Sequence, residues 1–79
     1  MMKFFTYRVI IEPDENNTFH AYVPTLPGCH TFGSSIEETK KYIKEAIELY
    51  VEELLARNQP VPEENSLDTF ETVVIPNAV

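Results

Sequence analysis

The stretch AYVPTLPGCHTFGSSIEE, residues 21 to 38, decides how this chain folds, because it carries a strand pattern through a tight corner into a helix start. Gly28 and Gly33 give the backbone freedom at both ends of a short third strand over residues 28 to 32, and the prolines stiffen the turn before it. Cys29 suits the tight space beneath a helix as a small apolar side chain. The stretch therefore predicts a corner that returns one strand along another.

Strand-forming residues lie ahead of this corner. Residues 3 to 12 are dense in aromatic and β-branched types, and their alternation predicts a first strand. One face of that strand holds Phe5, Tyr7, Val9 and Ile11. Residues 13 to 17 form a turn cluster, and alternation resumes at 19 to 23. The first two strands are therefore expected to form a hairpin.

A single helix follows the corner. Ser35 and Glu38 fit a capping box, whose side chains bond the free amides of the first helical turn. Apolar residues then recur at helical spacing at Ile36, Ile43, Ala46, Ile47, Tyr50, Val51 and Leu54, which predicts one buried face. Asn58 can take the left-handed conformation that ends a helix. After a polar connector at 59 to 68, the run TFETVVI at 69 to 75 predicts a last strand.

This order of elements predicts one α+β domain over residues 1–79, β-β-β-α-β, with a mainly antiparallel sheet. A right-handed crossover lays the helix on one face and leaves the other open. Pairing Tyr22 with His30 across the corner places Ala21 and Thr31 under the helix. The residues that then point away from the helix are Phe4, Arg8, Ile10, His20, Tyr22, His30 and Phe32. A face this aromatic predicts a protein interface, with Phe4, Arg8, Ile10, Tyr22 and Phe32 as candidate contacts in a homo-oligomer, a dimer or a tetramer.

The length and the net charge of the chain exclude several classes of function. A chain of 79 residues has room for one apolar layer, so a deep active site is not expected. The 13 Asp and Glu against 6 Lys and Arg disfavour direct nucleic-acid binding and suit a basic protein partner, although solubility alone also explains an acidic surface. No run approaches the roughly 20 apolar residues of a membrane crossing. With no signal-peptide cleavage site and one cysteine, we expect a cytoplasmic protein.

The chain reads A-Y-V-P, then L-P-G-C-x-T-x-G, then a Ser-capped helix beginning I-E-E and continuing to E-A-I. The matching positions are Ala21 to Pro24, Leu26 to Cys29, Thr31, Gly33, Ser35 to Glu38 and Glu45 to Ile47. This order resembles the HicB family of antitoxins. The resemblance implies a partial ribonuclease-H-like layer and a HicA-like partner, a small basic toxin that cleaves RNA. Many relatives add a C-terminal DNA-binding module, but only Pro76 to Val79 follow Ile75 here, so we do not expect this chain to repress an operon alone.

The antitoxin interpretation gives a set of partner contacts. The candidates are Tyr22, Pro24, Leu26, Pro27 and His30 at the corner and open face, with Glu45, Glu48 and Glu52 as steering charges. For the aromatic residues, self-association is at least as good an interpretation. For the glutamates, the alternative is a solvated helix face. The alternative function is an orphan HicB-like homo-oligomeric binding or scaffold module without a toxin.

Catalysis and a metal or other cofactor are not expected. Cys29 and His30 are adjacent and face opposite sides of a strand, and His20 with His30 supplies only two ligands. Cys29 is expected to be a small core residue and not a reactive thiol. A residual metal-dependent nuclease is a third alternative, but carboxylates such as Glu12 and Glu71 resemble solvated turn and edge charges.

Overall fold

Three antiparallel strands and one long helix make up the chain. The computed structural model describes residues 2–76 and gives β1 at Ile10–Asp14, β2 at Thr18–Tyr22, β3 at His30–Gly33 and α1 at Ile36–Ala56. A 3-10 turn at Glu15–Asn17 joins β1 to β2, and the sheet order is β1-β2-β3. The predicted α+β class, hairpin, corner and helix are confirmed. Among these residues no helix combines the length and apolar character that crossing a membrane requires.

β1 starts later than the sequence predicts, because strand pairing begins at Ile10 and not at residue 3. Ile10 pairs with Tyr22, the last residue of β2, after which the chain leaves the sheet for the corner. Residues 3–9 therefore have no neighbouring strand within the described part of the chain. Their predicted alternation is nevertheless correct, since Phe5, Tyr7, Val9 and Ile11 all pack against the core.

The helix lies on one face of the sheet, over β2 and β3. Tyr22 pairs with His30 and Ala21 with Thr31, so the predicted register is confirmed. The core consists of Ala21, Val23, Leu26, Cys29, Ile43 and Val51. Burying a side chain of the size of valine, leucine or isoleucine contributes about 1.5–3 kcal/mol. This small cluster therefore fixes the helix against the sheet.

The helix begins with the predicted serine cap at Ser35. In a capping box the Glu38 carboxylate would bond the Ser35 amide, but here it bonds the amide of Ser34. Ser35 Oγ accepts a hydrogen bond from the Glu38 N–H at 3.1 Å. Glu38 accepts from the N–H and the hydroxyl of Ser34 at 2.9 and 3.0 Å, and these bonds hold the pKa of its carboxyl below the usual value. The predicted burial of Ile36 is wrong, since it is half exposed. Thr39 is buried in the first turn instead and donates its hydroxyl proton to the Ser35 carbonyl at 2.6 Å.

Two glycines shape the corner for different reasons. Gly28 has a φ of +81°, a left-handed conformation that glycine adopts because it has no Cβ. Gly33 does not have a positive φ, so the predicted need for backbone freedom is wrong there. A Cβ on Gly33 would lie 2.8 Å from the Thr39 amide nitrogen and 2.9 Å from its Cα. Gly33 therefore allows the first turn of α1 to approach β3 closely.

A carboxylate ties the connector after the helix to the start of the sheet. Asn58 has the predicted left-handed conformation, with a φ of 55°. Glu64 Oε1 then accepts from the Arg8 N–H at 2.9 Å and from the Thr25 hydroxyl at 3.0 Å, while Oε2 accepts from the Ser66 hydroxyl at 2.8 Å. These bonds, led by the one from the Arg8 amide, lower the pKa of Glu64 to about 2. The connector is therefore docked against the body of the chain.

The predicted fourth strand at 69–75 does not form within this chain. The structure has no strand between residues 57 and 76. Phe70 and Val74 are 98% and 88% exposed. A strand requires a hydrogen-bonded neighbour, and none of the three strands pairs with this segment. The described order is β-β-β-α, and the partial ribonuclease-H-like arrangement with a fourth strand stays a prediction.

Replacing Gly33 with alanine should destabilise the fold more than replacing Gly28 with asparagine. The added methyl group would lie 2.8 Å from the Thr39 amide nitrogen, and overpacking of this kind costs about 1–3 kcal/mol. Asparagine tolerates the positive φ at Gly28. Urea denaturation followed by circular dichroism measures both free energies of unfolding. Equal losses in the two variants would contradict the close approach at Gly33.

Replacing Glu64 with glutamine should lower the free energy of unfolding at neutral pH. It should also make that free energy less sensitive to acid. The folded pKa of about 2 lies below the ordinary value of 4.5, so the ionised carboxylate stabilises the fold above about pH 4.5. That contribution is lost as the pH falls towards 2. The difference in unfolding free energy between wild type and Glu64→Gln should therefore shrink over this range. Glu63→Gln, at the exposed neighbour, is the control and should show no such difference.

Candidate partner-binding site

The face of the sheet that is turned away from the helix is the candidate site. Side chains alternate between the two faces along each strand, so cross-strand pairing arranges this face in rows. One row consists of Ile10, Tyr22 and His30, and the next consists of Glu12, His20 and Phe32. We call these six residues the open face. All six are partly or fully exposed.

Four aromatic rings meet on the open face, with His20 at their centre. The His20 ring stacks on Phe32 with 4.7 Å between centroids and on Tyr22 with 5.5 Å. His30 lies edge-on to His20 at 5.4 Å and to Phe32 at 6.0 Å. Aromatic pairs at these separations attract one another beyond the area that they bury. The cluster is therefore a preformed and mostly apolar surface that carries two imidazoles.

The corner after β2 is held by three backbone hydrogen bonds. Val23 N–H donates to the Cys29 carbonyl at 3.1 Å, Leu26 N–H to the Val23 carbonyl at 3.0 Å, and Cys29 N–H to the Leu26 carbonyl at 3.0 Å. The Tyr50 hydroxyl donates to the Pro27 carbonyl at 2.8 Å, which ties the corner to α1. An open groove of about 400 Å³ is lined by His20, Tyr22, Val23, Pro24, Pro27, Gly28, Cys29 and His30. The corner and the ring cluster therefore form one continuous surface.

This groove brings together most of the partner contacts predicted at the corner. The members that line it are Tyr22, Pro24, Pro27 and His30. Leu26 is a correction, because it is 0% exposed and belongs to the core. The three backbone bonds close the corner tightly and turn this large apolar side chain inward. Leu26 therefore does not present its side chain to a partner.

The predicted steering glutamates lie apart from the groove. Glu45, Glu48 and Glu52 are all exposed on α1. A second groove of about 310 Å³ is lined by Lys3, Phe4, Phe5, Ile47, Glu48, Val51, Glu52 and Leu55. The two grooves share no residue. Of the predicted glutamates, Glu48 and Glu52 therefore line the second groove, and Glu45 lines neither groove.

The residues predicted to join copies of the chain are divided as well. The open face contains Ile10, Tyr22 and Phe32. Phe4 lines the groove beside α1 and not the open face. Arg8 is engaged within the chain, since its guanidinium pairs with Asp68 at 2.8 Å and its amide bonds Glu64. The connector therefore docks at Arg8, and a place for this residue in an interface between copies stays a prediction.

The ionisable and metal-ligating side chains near the open face are few. The described residues contain no group of three or more His, Cys, Asp or Glu that could hold a metal ion. Cys29 is buried, and desolvation raises the pKa of its thiol, so the unreactive protonated form is favoured. Its predicted role as a small core residue is confirmed. Glu12 lies opposite His20 on the open face and adds one carboxylate beside the rings.

Three residues of this region are missed by sequence reasoning as site or support residues. His20 is the centre of the ring cluster, and the alternation of β2 already places it on the open face. Glu64 holds the connector through a bond to Arg8, 56 residues away, which no local pattern indicates. Thr39 is the residue of α1 that lies closest to Gly33. Its place one turn after the serine cap is the signal that could have found it.

The chain is similar in sequence to a known protein family. The profile of the HicB-like antitoxins of bacterial toxin–antitoxin systems matches residues 7–74. A UPF0150 protein of Synechocystis sp. is 46% identical over 61 residues, which cover 77% of this chain and 77% of that protein. A UPF0150 protein of Thermoplasma acidophilum is 43% identical over 60 residues, covering 76% of this chain and 87% of that protein.

A solved structure has the same fold. The N-terminal domain of the Burkholderia pseudomallei antitoxin HicB matches with a TM-score of 0.64 and 30% sequence identity, over 77% of this chain and 69% of that chain. The span matched by the family profile includes the corner, the open face and the helix. The chain therefore belongs to the HicB-like antitoxin family of bacterial toxin–antitoxin systems.

Proposed function

We propose that this chain is the antitoxin of a type II toxin–antitoxin pair and that it binds and occludes a HicA-like toxin that cleaves mRNA. Family membership supports the antitoxin role and a toxin as the kind of partner. The observation that carries the proposal is the open face, where four packed rings adjoin a groove that the helix leaves uncovered. Exposed aromatic clusters beside a groove are typical of protein-binding surfaces.

The groove and the rings act as the anchor in this proposal. Tyr22 and His30 contribute flat rings to the lining of the groove, and Pro24 and Pro27 contribute two prolines. Prolines and stacked rings have little conformational freedom to lose when a partner binds. A side chain of the toxin that enters the groove is therefore held by a preorganised surface. The antitoxin blocks the toxin by covering it, which requires no catalysis by this chain, and we place both proteins in the cytoplasm.

The acidic surface contributes to the rate of binding. The net charge is −7, and the partner is expected to be basic because it binds RNA. Opposite charges steer the two proteins together and raise the association rate at low salt. Glu48 and Glu52 line the second groove, beside the exposed Phe4. This groove is therefore a second surface that the toxin can approach.

The second candidate function is an orphan HicB-like module that joins copies of itself and has no toxin. The open face favours it as well, because aromatic residues such as Phe32, which is 50% exposed, are equally suited to meet a second copy. The two candidates differ in a direct test. The gene beside this one should encode a small basic protein, and co-expression should yield a stable complex in which RNA cleavage is suppressed. A neighbouring basic protein that neither co-purifies nor loses activity would favour the orphan module.

Replacing Tyr22 with alanine should weaken toxin binding by about 30-fold, because truncating an aromatic anchor at the centre of an interface costs about 2 kcal/mol. Calorimetry with the purified toxin measures the dissociation constant. Tyr42→Ala is the matched control, since Tyr42 is a partly exposed tyrosine on α1 outside both grooves. Similar melting temperatures would show that both variants are folded. Equal affinities in the two variants would contradict binding through the open face.

Reversing the charge of Glu48 and Glu52 to lysine should slow toxin association by about tenfold at low salt and leave dissociation nearly unchanged. Stopped-flow mixing at several salt concentrations measures both rates. The control reverses Glu37 and Glu63, which are exposed and line neither of the two grooves described above. Both variants change the net charge equally. If both slow association to the same extent, the helix glutamates form only a solvated face.

A further inference from the structure

The corner beside the groove consists of two successive turns. One backbone hydrogen bond of 3.0 Å closes a first turn over residues 23–26, and another of 3.0 Å closes a second turn over residues 26–29. Each turn contributes one proline to the lining of the groove, Pro24 from the first turn and Pro27 from the second. The shape of the groove therefore depends on where each turn is held.

Each turn is tied to the rest of the chain by one side-chain hydrogen bond. In the second turn, the Pro27 carbonyl accepts from the Tyr50 hydroxyl of α1 at 2.8 Å. In the first turn, the Thr25 hydroxyl donates to Glu64 Oε1 at 3.0 Å. A bond to an ionised carboxylate is stronger than one between neutral groups. The helix therefore holds one turn, and the connector holds the other.

The connector end of the first tie is itself fixed to the body of the chain. The Tyr7 hydroxyl donates to the Pro62 carbonyl at 2.6 Å, two residues before Glu64. The Arg8 N–H donates to Glu64 Oε1 at 2.9 Å, and the Arg8 guanidinium pairs with Asp68 at 2.8 Å. Tyr7 packs against the core. Glu64 can therefore act as the fixed end of the tie.

The two residues of this tie do not themselves line the groove. Among the described residues, the lining includes Pro24 but neither Thr25 nor Glu64. Thr25 is partly buried, whereas Pro24 beside it is exposed. An effect of Thr25 or Glu64 on binding in the groove therefore acts through the position of the first turn, and not through a lost contact with the partner.

We propose that Glu64 is a positioning residue for partner binding, because its bond to Thr25 holds the first turn, and with it Pro24, in the place that shapes the groove. This role rests on the proposed function, in which the toxin occupies the groove. A groove that is only partly populated in its binding form lowers the apparent affinity by that fraction. The docked connector therefore keeps the groove ready for the toxin, although it lies outside the groove.

Amide hydrogen exchange in the free protein tests the tie without a toxin. Thr25→Val removes the hydroxyl and keeps the β-branched shape, whereas Thr25→Ser keeps a hydroxyl. The Leu26 N–H closes the first turn, and it should exchange about tenfold faster in Thr25→Val than in wild type or Thr25→Ser. The Cys29 N–H closes the second turn and should keep its wild-type rate. An unchanged Leu26 amide, or equal acceleration of both amides, would overturn the proposal.

Calorimetry with the purified toxin tests the effect on binding. Thr25→Val and Glu64→Ala should each raise the dissociation constant about fivefold, and Thr25→Ser should bind nearly as wild type does. The double variant should bind no more weakly than Glu64→Ala alone, because both changes remove the same bond. Glu63→Ala, at the exposed neighbour, makes the same change in net charge and should bind like wild type. Additive losses in the double variant, or equal losses in Glu63→Ala and Glu64→Ala, would contradict the positioning role.

The two measurements distinguish failure of this role from failure of the antitoxin function. Toxin binding that is equally tight in wild type and Thr25→Val would overturn the positioning role and leave the antitoxin function standing. A wild-type chain that binds no toxin would overturn the antitoxin function, and the positioning role with it. Faster exchange of the Leu26 amide together with weaker toxin binding in Thr25→Val is the result that the proposal predicts.

Discussion

Gly33 allows α1 to lie directly on the sheet, because the backbone of Thr39 occupies the space that a Cβ would need. The helix is held there by a small apolar cluster that includes Ala21 and Ile43. One helix has one apolar stripe, and it covers one face of a three-stranded sheet. The opposite face is left with its aromatic side chains in reach of a partner. The close contact at Gly33 thus helps to set which face of the sheet the helix leaves uncovered.

Local signals in the sequence are sufficient for most of the fold. Ser35 caps the helix and Asn58 ends it, because both roles depend only on neighbouring residues. The pairing of Tyr22 with His30 follows from the length of the corner. Once that register is set, alternation alone places the six residues of the open face. The corner side of the candidate site, apart from Leu26, was therefore predictable from spacing and residue type.

Contacts between distant residues explain what the sequence could not show. Leu26 lies between two prolines and resembles an exposed turn residue, but the backbone bonds of the corner direct it into the core. Glu64 bonds Arg8 across 56 positions and turns an apparently free connector into a docked one. The run at 69–75 has the composition of a strand, yet a strand forms only beside another strand. Local pattern does not reveal whether such a neighbour exists, and none of β1, β2 and β3 pairs with this run.

The open face and the outer edge of β1 are different kinds of surface. The open face presents side chains from all three strands around His20, whereas an edge strand presents unpaired backbone groups. The buried core of one chain is small, because the apolar side chains at 69–75 stay exposed and do not enlarge it.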